Sequence, residues 1–275
     1  MEYQYYMPTR VVFGPGTFRE LNKIALPGRK ALIVISSGGS MERLGYLGVL
    51  RDQLTGRGIE YAIFDGVKPN PTRKSVMEGA ALAKAARCDF IIGLGGGSTI
   101  DASKAISVMA TNPGDYWDYV RAGSGKGLPI TVRPLPVVAI STTSGTGSET
   151  DPWAVITNEE RNEKVGYGGD LMFPVLSIFD PELTASLPAR ATAYQGFDAL
   201  FHCAEGCLNH TPVDLSDMFA LEALRLNDIA AAFCIAGHHA GLPDYGNRMN
   251  TAQDATLMAR VRRRPGHEIT DYAAF

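Results

Sequence analysis

The clearest indication of the fold comes from one stretch, Cys88-Asp-Phe-Ile-Ile-Gly-Leu-Gly-Gly-Gly-Ser-Thr-Ile-Asp-Ala-Ser-Lys104. Its opening run is apolar without alternation, which is typical of a strand buried on both faces of a parallel sheet. Three glycines, Gly95 to Gly97, follow that strand, and the pattern after them is helical. We expect Ser98 to cap this helix, with Asp101 as the carboxylate of a capping-box variant.

A turn of this kind is suited to binding phosphate. Backbone N–H groups at the start of a helix attract anions, and glycines let a phosphate approach the backbone. The motif differs from the dinucleotide fingerprint G-x-G-x-x-G, because Ser98 stands where the third glycine belongs. A plain strand-to-helix turn is the alternative, but three consecutive glycines favour a phosphate-binding loop.

Around this stretch, strand and helix patterns alternate, which predicts an α/β domain with a parallel sheet covered on both faces. A helix is predicted at Val76–Ala86, and after Pro188 the strand patterns give way to long helical ones. We therefore expect a nucleotide-binding domain over residues 1–184 and a shortened all-helical domain over residues 185–275. The predicted strands are Val11–Phe13, Ala31–Ile35, Tyr61–Phe64, Phe90–Ile92, Val137–Ile140 and Val175–Phe179. The predicted later helices are Ala189–Leu208, Ser216–Ile235 and Thr251–Arg264.

Composition narrows the class of protein. The 275 residues are 45% hydrophobic and 20% charged, with a net charge of −3, so they indicate a globular protein without a basic face for nucleic acid. The start of the chain lacks a leader pattern, and no run of 18 apolar residues occurs, so we expect a cytoplasmic protein without a membrane partner. The four cysteines form no CxxC pair and are expected to be reduced.

A second polar loop follows the predicted strand Val137–Ile140. It reads Ser141-Thr-Thr-Ser-Gly-Thr-Gly-Ser-Glu-Thr150 and is rich in hydroxyl groups, which can bind ribose and phosphate oxygens. A flexible linker is the alternative interpretation of such a composition. Because the loop comes directly after a buried strand, we favour a binding loop, and we call residues 141–150 the hydroxyl loop.

Asp198 and His202 are four residues apart on a predicted helix, so their side chains lie on the same face. A carboxylate and an imidazole are side chains that bind divalent metal ions such as Fe(II) or Zn(II), so the pair could form part of a metal site. Taken without any other information, an exposed helical pair is the favoured interpretation of this spacing.

Five motifs together resemble the iron-containing (group III) alcohol dehydrogenases, over roughly residues 5 to 230. The resemblance implies an α/β nucleotide-binding domain followed by a helical domain, NAD(P) as cofactor, a divalent metal that is usually iron or zinc, and a small alcohol or aldehyde as substrate. The five motifs are Phe64–Thr72, Gly95–Lys104, Thr142–Glu149, Asp180–Pro188 and Gly196–His202.

The resemblance also implies roles for individual residues. Asp198 and His202 correspond to the first two metal ligands, which makes them the catalytic positions as well. The implied cofactor contacts are Asn70, Gly95, Gly96, Gly97, Ser98, Asp101, Thr142, Thr143, Ser144, Thr146, Ser148, Lys164 and Leu183.

The choice between NAD and NADP depends on the residues directly after the strand Ala31–Ile35. An acidic residue there would bind the ribose 2′-hydroxyl of NAD and repel a 2′-phosphate. This chain has Ser36-Ser-Gly-Gly-Ser40 instead. We predict that NADP(H) is accepted and preferred, with Ser36, Gly38, Gly39 and Ser40 near its ribose.

The sequence departs from the family after about residue 230, where the histidine-rich motif with the remaining two metal ligands is missing. His267 is the candidate third ligand, whereas His238 and His239 are expected in an exposed loop between helices. Two alternatives therefore stay open: a non-catalytic NADP(H)-binding protein, and a metal enzyme of the dehydroquinate synthase type. The shortened helical domain would expose apolar surface, so we expect a homo-oligomer.

Overall fold

The computed structural model describes residues 5–208 and 214–239, with side chains described as far as residue 226. The chain forms two compact units. Among the described residues, one contains residues 5–143 and Gly147–Thr184, and the other contains Ser144–Thr146 and residues 185–208 and 214–239. We call them the sheet unit and the helical unit.

The strands of the described residues are β1 (Arg10–Phe13), β2 (Lys30–Ser36), β3 (Glu60–Val67), β4 (Phe90–Gly95), β5 (Val137–Ser141), β6 (Ala154–Asn158), β7 (Glu163–Tyr167) and β8 (Leu176–Phe179). Six of them form one sheet in the order β1-β8-β5-β4-β2-β3, and every neighbouring pair is parallel. The six predicted strands and the α/β class are thereby confirmed.

Strands β6 and β7 form a two-stranded antiparallel sheet, which was not predicted from the sequence. Both strands are short and β6 alternates between buried and half-buried residues, so the hydrophobic signal is weak. The turn between them includes Asn162, which adopts a φ of 51°. The polar run from Asn158 to Asn162, directly after the β-branched residues Val155–Thr157, was the signal that could have identified this hairpin.

The helices are α1 (Ser40–Arg43), α2 (Tyr46–Thr55), α3 (Arg73–Ala86), α4 (Gly97–Thr111), α5 (Tyr116–Tyr119), α6 (Ala189–Cys207) and α7 (Asp214–His239). Short 3-10 turns lie at Thr17–Lys23, Asp170–Met172 and Pro181–Leu183. Thr72 caps α3 by accepting a hydrogen bond from the backbone N–H of Ser75, and the Ser75 hydroxyl accepts one from the N–H of Thr72. Within the described residues, no helix is long and apolar enough to span a membrane.

The helix α7 corrects one prediction. It continues through His238 and His239, which were expected in an interhelix loop. The reason is that the sequence before them is rich in alanine and a single glycine, Gly237, is too weak a breaker to end a helix. The predicted helix Thr251–Arg264 and the candidate ligand His267 lie outside the described residues.

Successive residues of the central strands face two different cores, one on each side of the sheet. Ile91 belongs to the core that α3 and α4 cover, together with apolar side chains such as Val76 and Ile106. Ile92 belongs to the opposite core, which α2 covers with Leu50 among others. Because both faces are covered, every residue of β4 is buried, which is why its sequence shows no alternation.

Candidate functional site

The sheet changes winding direction between β2 and β4. From β2 the chain continues to its neighbour β3, whereas from β4 it continues to β5 on the other side. Ligands of open α/β sheets bind outside the carboxyl ends of the strands at such a point. The two segments that begin there are Ser36–Ser40 and Gly95–Ser98, both of which the sequence analysis assigned to cofactor binding.

The first glycine of the loop is required by the fold. Gly95 has a φ of +156°, and a Cβ atom built there would lie 2.6 Å from the Thr99 hydroxyl oxygen. At Gly96 a Cβ would lie 2.9 Å from both the methyl carbon and the hydroxyl oxygen of Thr143. These glycines therefore allow the loop to turn and allow the hydroxyl loop to approach it.

The predicted capping of this helix is wrong. Helix α4 begins at Gly97, its N-cap is Gly96, and no side chain caps it. Ser98 lies inside the first turn, where it cannot act as the N-cap. The Asp101 carboxylate faces the sheet unit's interior instead, where it accepts hydrogen bonds from the Ser148 hydroxyl and from the Val155 N–H at 2.9 Å.

The start of α4 has backbone donors available. The N–H groups of Thr99 and Ile100 both donate to the Gly96 carbonyl, at 2.9 and 3.1 Å. None of the residues that the structure describes accepts a hydrogen bond from the N–H of Gly97 or Ser98, as expected in a first helical turn. Both residues are half-buried rather than covered. Together with the helix dipole, these donors fit the pyrophosphate of a dinucleotide.

The hydroxyl loop begins beside the glycine loop. Ser141 pairs with Gly95 in the sheet, and the Thr142 N–H donates to the Gly95 carbonyl at 3.1 Å. The hydroxyl-bearing residues differ in exposure: Thr143 is half-buried, whereas Thr142 and Ser148 are only 5% and 4% exposed. Ser144 and Thr146 belong to the helical unit and are exposed.

The segment Ser36–Ser40 contains no acidic residue and lies beside a cation. The guanidinium of Arg43, on α1, donates to the Gly38 carbonyl at 2.6 Å. The hydroxyl oxygens of Ser36 and Ser40 lie 3.5 Å apart. Arg43 is a candidate site residue that was not predicted from the sequence, although a basic residue three positions after the serine-glycine segment was the available signal.

Two other predicted contacts, Asn70 and Lys164, are brought together by the fold. The Lys164 ammonium, on β7, donates to the Asn70 side-chain oxygen at 2.7 Å. Asn70 adopts a φ of 55° in the loop between β3 and α3. Leu183 lies in a 3-10 turn and is only 3% exposed, so most of its side chain packs in the core that α2 covers.

A cluster of buried charges lies behind the two loops and was also missed. Lys104 of α4 is fully buried, and its ammonium donates to Asp151 Oδ1 at 2.9 Å and to the Trp153 carbonyl at 2.7 Å. Burial lowers the pKa of Lys104 and raises those of Asp101 and Glu149. The spacing of Asp101 and Lys104, three residues apart on one helix, was the available signal.

In the helical unit, α6 places Asp198 and His202 one turn apart. Both side chains are about half exposed, and His202 Nδ1 lies 3.8 Å from Asp198 Oδ1. The same Nδ1 lies 2.9 Å from the Gly145 carbonyl oxygen. Because a carbonyl can only accept, Nδ1 carries the proton and the lone pair of Nε2 is free, which is the arrangement typical of a metal-binding histidine.

Gly145 is required for this contact. It adopts a φ of +98°, and a Cβ atom there would lie 2.7 Å from the Gln195 carbonyl oxygen. The side-chain oxygen of Gln195 accepts hydrogen bonds from the N–H and the hydroxyl of Ser144, at 2.8 and 3.0 Å. Asp198 and His202 fit a divalent cation by their chemistry, but the part of the chain that the structure describes contains no group of three metal-ligating side chains.

Comparison with known proteins agrees with these features. The model of the iron-containing alcohol dehydrogenase family matches residues 8–181. Choline dehydrogenase of Bacillus subtilis (strain 168) is 38% identical over 255 residues, which are 92% of this chain and 61% of that protein. The 1,3-propanediol dehydrogenase of Klebsiella pneumoniae is 36% identical over 82% of this chain and 57% of its own length.

Solved structures give the same result. NADH-dependent butanol dehydrogenase A of Thermotoga maritima matches with a TM-score of 0.76 and 32% identity, over 93% of this chain and 62% of that one. Sulfoacetaldehyde reductase of Bifidobacterium kashiwanohense, solved in complex with NAD+, matches with a TM-score of 0.76 and 31% identity, over 86% of this chain and 61% of that one.

The chain belongs to the iron-containing alcohol dehydrogenase family, and the resemblance seen in the sequence is thereby confirmed. The chain spans about 60% of the length of these relatives.

Proposed function

We propose that this chain takes part in metal-dependent hydride transfer between NAD(P)(H) and a small alcohol or aldehyde. The observation that carries the proposal is the glycine loop at the switch point of the sheet, where the N–H groups of Gly97 and Ser98 are available to an anion. Relatives named as propanediol and butanol dehydrogenases support small alcohols as the substrate class.

The sheet unit would hold the cofactor. Gly95 to Ser98 would bind the pyrophosphate through backbone donors, and Thr142, Thr143 and Ser148 would contribute from the hydroxyl loop. Asn70 and Lys164, already joined by a hydrogen bond, would hold further polar groups of the cofactor. Asp101 would act through Ser148 rather than by touching phosphate, because two anionic groups repel each other.

For the adenosine ribose we propose a preference for NADP(H). The segment Ser36–Ser40 offers hydroxyl groups and no carboxylate, and the Arg43 guanidinium lies beside it. An arginine in this position can pair with a 2′-phosphate. Two relatives are named as NADH-dependent, so the proposed preference for NADP(H) is supported by the Ser36–Ser40 segment and Arg43 of this chain rather than by its relatives.

In the helical unit Asp198 and His202 would hold Fe(II) or Zn(II), with His267 as the proposed third ligand. When bound, such an ion would supply Lewis acidity at the substrate oxygen, and NAD(P)(H) would supply the hydride chemistry. Asp198 would supply negative charge to the site. His202 would present Nε2 because Gly145 holds its Nδ1 proton.

The domain boundary, the oligomeric state and the cellular location of the chain are also proposals. We propose the domain division at residues 184 and 185, a homo-oligomer and a cytoplasmic location. The first is supported by the two compact units. The second is supported by large apolar side chains exposed on α6 and α7, including Phe201 and Met218 at 62% and 67%.

One experiment tests the proposed function. The purified protein, loaded with Fe(II) or Zn(II), is given NADP+ with 1-butanol or 1,3-propanediol, and NADPH with the corresponding aldehydes, while nicotinamide absorbance is followed. We expect turnover that a chelator abolishes and that restored metal recovers. Asp198→Asn should remove turnover without removing NADPH binding.

The second candidate is a non-catalytic NADP(H)-binding protein. It is favoured by one observation, which is that Asp198 and His202 are joined by no third ligand among the described residues. Tight NADPH binding without metal-dependent turnover would select this candidate over the dehydrogenase, and absence of cofactor binding would contradict both.

A further inference from the structure

Lys104 is a fully buried ammonium group in the cluster that also contains the acidic side chains of Asp101, Glu149 and Asp151. It lies two turns into α4, the helix whose first turn carries the proposed pyrophosphate donors. Its two hydrogen bonds go to Asp151 and to the Trp153 carbonyl, both of which follow the hydroxyl loop in the chain. A buried charge is costly unless it is paired, so the position of these partners is tightly coupled to that of α4.

Asp101 makes a second link between the same two parts of the chain. Its carboxylate lies one turn before Lys104 and accepts from the Ser148 hydroxyl and the Val155 N–H. Helix α4 is therefore joined to residues 148–155 by two charged side chains, each with two partners. Such charge-assisted hydrogen bonds define one geometry more strictly than apolar packing does.

The same cluster has a third acidic member, Glu149, whose side chain is 4% exposed. Its Oε2 atom has no hydrogen-bond partner among the described residues. Its backbone carbonyl accepts a hydrogen bond of 2.5 Å from the Ser177 hydroxyl, which attaches the end of the hydroxyl loop to β8. Residues 148–155 are thus fixed from α4 on one side and from the sheet on the other.

We propose that Lys104 is a positioning residue, which holds the end of the hydroxyl loop against α4 and thereby sets the affinity for the cofactor. The inference rests on the proposed function, because it assigns the two loops to one cofactor site. Lys104 touches no cofactor in this proposal. It acts through Asp151 and the Trp153 carbonyl, while Asp101 acts in parallel through Ser148.

The test compares Lys104→Met with a matched control on the same helix. Asn112, at the far end of α4, is 1% exposed and donates to the carbonyls of Val108 and Val132 at 3.0 and 2.8 Å. Asn112→Ala therefore also removes buried hydrogen bonds, but far along the helix from the loop. Thermal unfolding of both variants establishes that their losses of stability are comparable.

We expect the Kd for NADPH, measured by nicotinamide fluorescence, to rise on the order of tenfold in Lys104→Met and to stay within about twofold in Asn112→Ala. In the cofactor-free protein, hydrogen exchange at the N–H groups of Trp153 and Val155 should accelerate in Lys104→Met only. An unchanged Kd in a folded Lys104→Met variant, or an equal rise in Asn112→Ala, would overturn the proposal.

Two further variants keep the proposal testable if Lys104→Met fails to fold. Ser148→Ala removes the Asp101 link from the loop side, and Asp151→Asn weakens the Lys104 link while keeping an acceptor. Each should raise the Kd for NADPH, and unchanged Kd values in both would contradict the inference. If the wild-type protein itself binds no NADPH, the proposed function fails, whereas the hydrogen-exchange comparison still decides whether Lys104 fixes the loop.

Discussion

His202 Nδ1 lies 2.9 Å from the carbonyl oxygen of Gly145, a residue of the hydroxyl loop that is distant in sequence but belongs to the same compact unit. The contact fixes the tautomer of the imidazole, since only Nδ1 can be the donor. The loop proposed to supply hydroxyl groups to a cofactor therefore also orients the histidine that is proposed to bind a metal ion.

The Gly145 contact predicts the effect of Gly145→Ala. The new Cβ would collide with the Gln195 carbonyl oxygen and require an unfavourable φ, so the loop must shift away from His202. We expect the affinity for Zn(II), measured by competition with a chromophoric chelator, to fall about tenfold to a hundredfold. Gly147→Ala is the control, because Gly147 has a φ of +67° with open space around its Cβ position. Equal losses in both variants would contradict this prediction.

The proposed metal ligands lie in the helical unit, whereas the proposed pyrophosphate donors of the glycine loop lie in the sheet unit, which predicts separable losses. His202→Ala should abolish stoichiometric Fe(II) or Zn(II) binding and leave the Kd for NADPH within about threefold, because its partners are Gly145 and Asp198. Metal content after dialysis and nicotinamide fluorescence provide the two measurements. Retention of the metal in His202→Ala would remove that histidine from the proposed site.

Close packing of α4 on β4 predicts that Gly93→Ala is destabilising. Its Cβ would lie 2.6 Å from the Ser103 hydroxyl oxygen and 3.2 Å from the Ser103 Cβ. We expect the free energy of unfolding in urea to fall by about 1–3 kcal/mol, since the helix must move outward. Ser103→Ala removes the nearer atom. Gly93→Ala should therefore cost less stability when it is added to Ser103→Ala than when it is added to the wild type. An equal loss in both backgrounds would show that the helix backbone, rather than Ser103, sets the distance.

The position of Arg43 beside Ser36–Ser40 predicts that this residue contributes to selectivity for NADPH over NADH. Replacing it with glutamine should lower the affinity for NADPH on the order of tenfold and leave the affinity for NADH nearly unchanged, because only NADPH carries a 2′-phosphate. Arg51→Gln is the matched control: Arg51 is also exposed, but its guanidinium donates to the Tyr61 hydroxyl at 3.1 Å. A wild-type protein that binds NADH far more tightly than NADPH would refute the assignment of Ser36–Ser40.

The burial of Glu149 predicts a pH dependence of stability. Desolvation raises its pKa in the folded state, so above the ordinary titration range of glutamate the folded protein binds more protons than the unfolded one. The contribution of protonated Glu149 to the free energy of unfolding is complete below the pKa of this group in the unfolded state. It is lost as the pH rises through the pKa of the same group in the folded state. Free energies of unfolding measured by urea titration should thus decrease with pH, by at most ~1.4 kcal/mol per pH unit for this proton.

Glu149→Gln cannot release that proton, so its stability should change less steeply over the same pH range. Asp101 also has a raised pKa through burial and contributes in the same direction, so some slope should persist in the variant. A slope identical to that of the wild type would show that Glu149 does not titrate differently in the folded protein.

The fold was predictable where the burial of an element produces a regular hydrophobic pattern in the sequence. The central parallel strands are buried on both faces, so the sequences of β2, β4 and β5 are continuous apolar runs. The hairpin of β6 and β7 was not predictable in the same way, because its strands are short and only partly buried. Helix α7 exceeded its predicted end because one glycine does not overcome the helical preference of its neighbours.

The candidate site shows the same division. The glycine loop and the hydroxyl loop are contiguous in sequence, so their chemistry could be read directly. The capping prediction failed because Asp101 has partners that are 47 and 54 residues away along the chain, and a local motif cannot reveal them. Arg43 was missed for a similar reason, since its role depends on the direction in which α1 carries its side chain.

Sequence alone was enough to establish the parallel α/β architecture, the two polar loops after β4 and β5, and the Asp198 and His202 pair. Each depends on residues close together in the chain, whose periodicity and spacing are fixed by the geometry of strands and helices. The folded chain was needed to show that Lys104 is buried between Asp151 and Trp153, and that Gly145 orients His202. Those contacts join distant segments, so local spacing cannot reveal them. For Lys104 the physical reason is burial, because packing excludes water and leaves the ammonium group to find its partners within the fold.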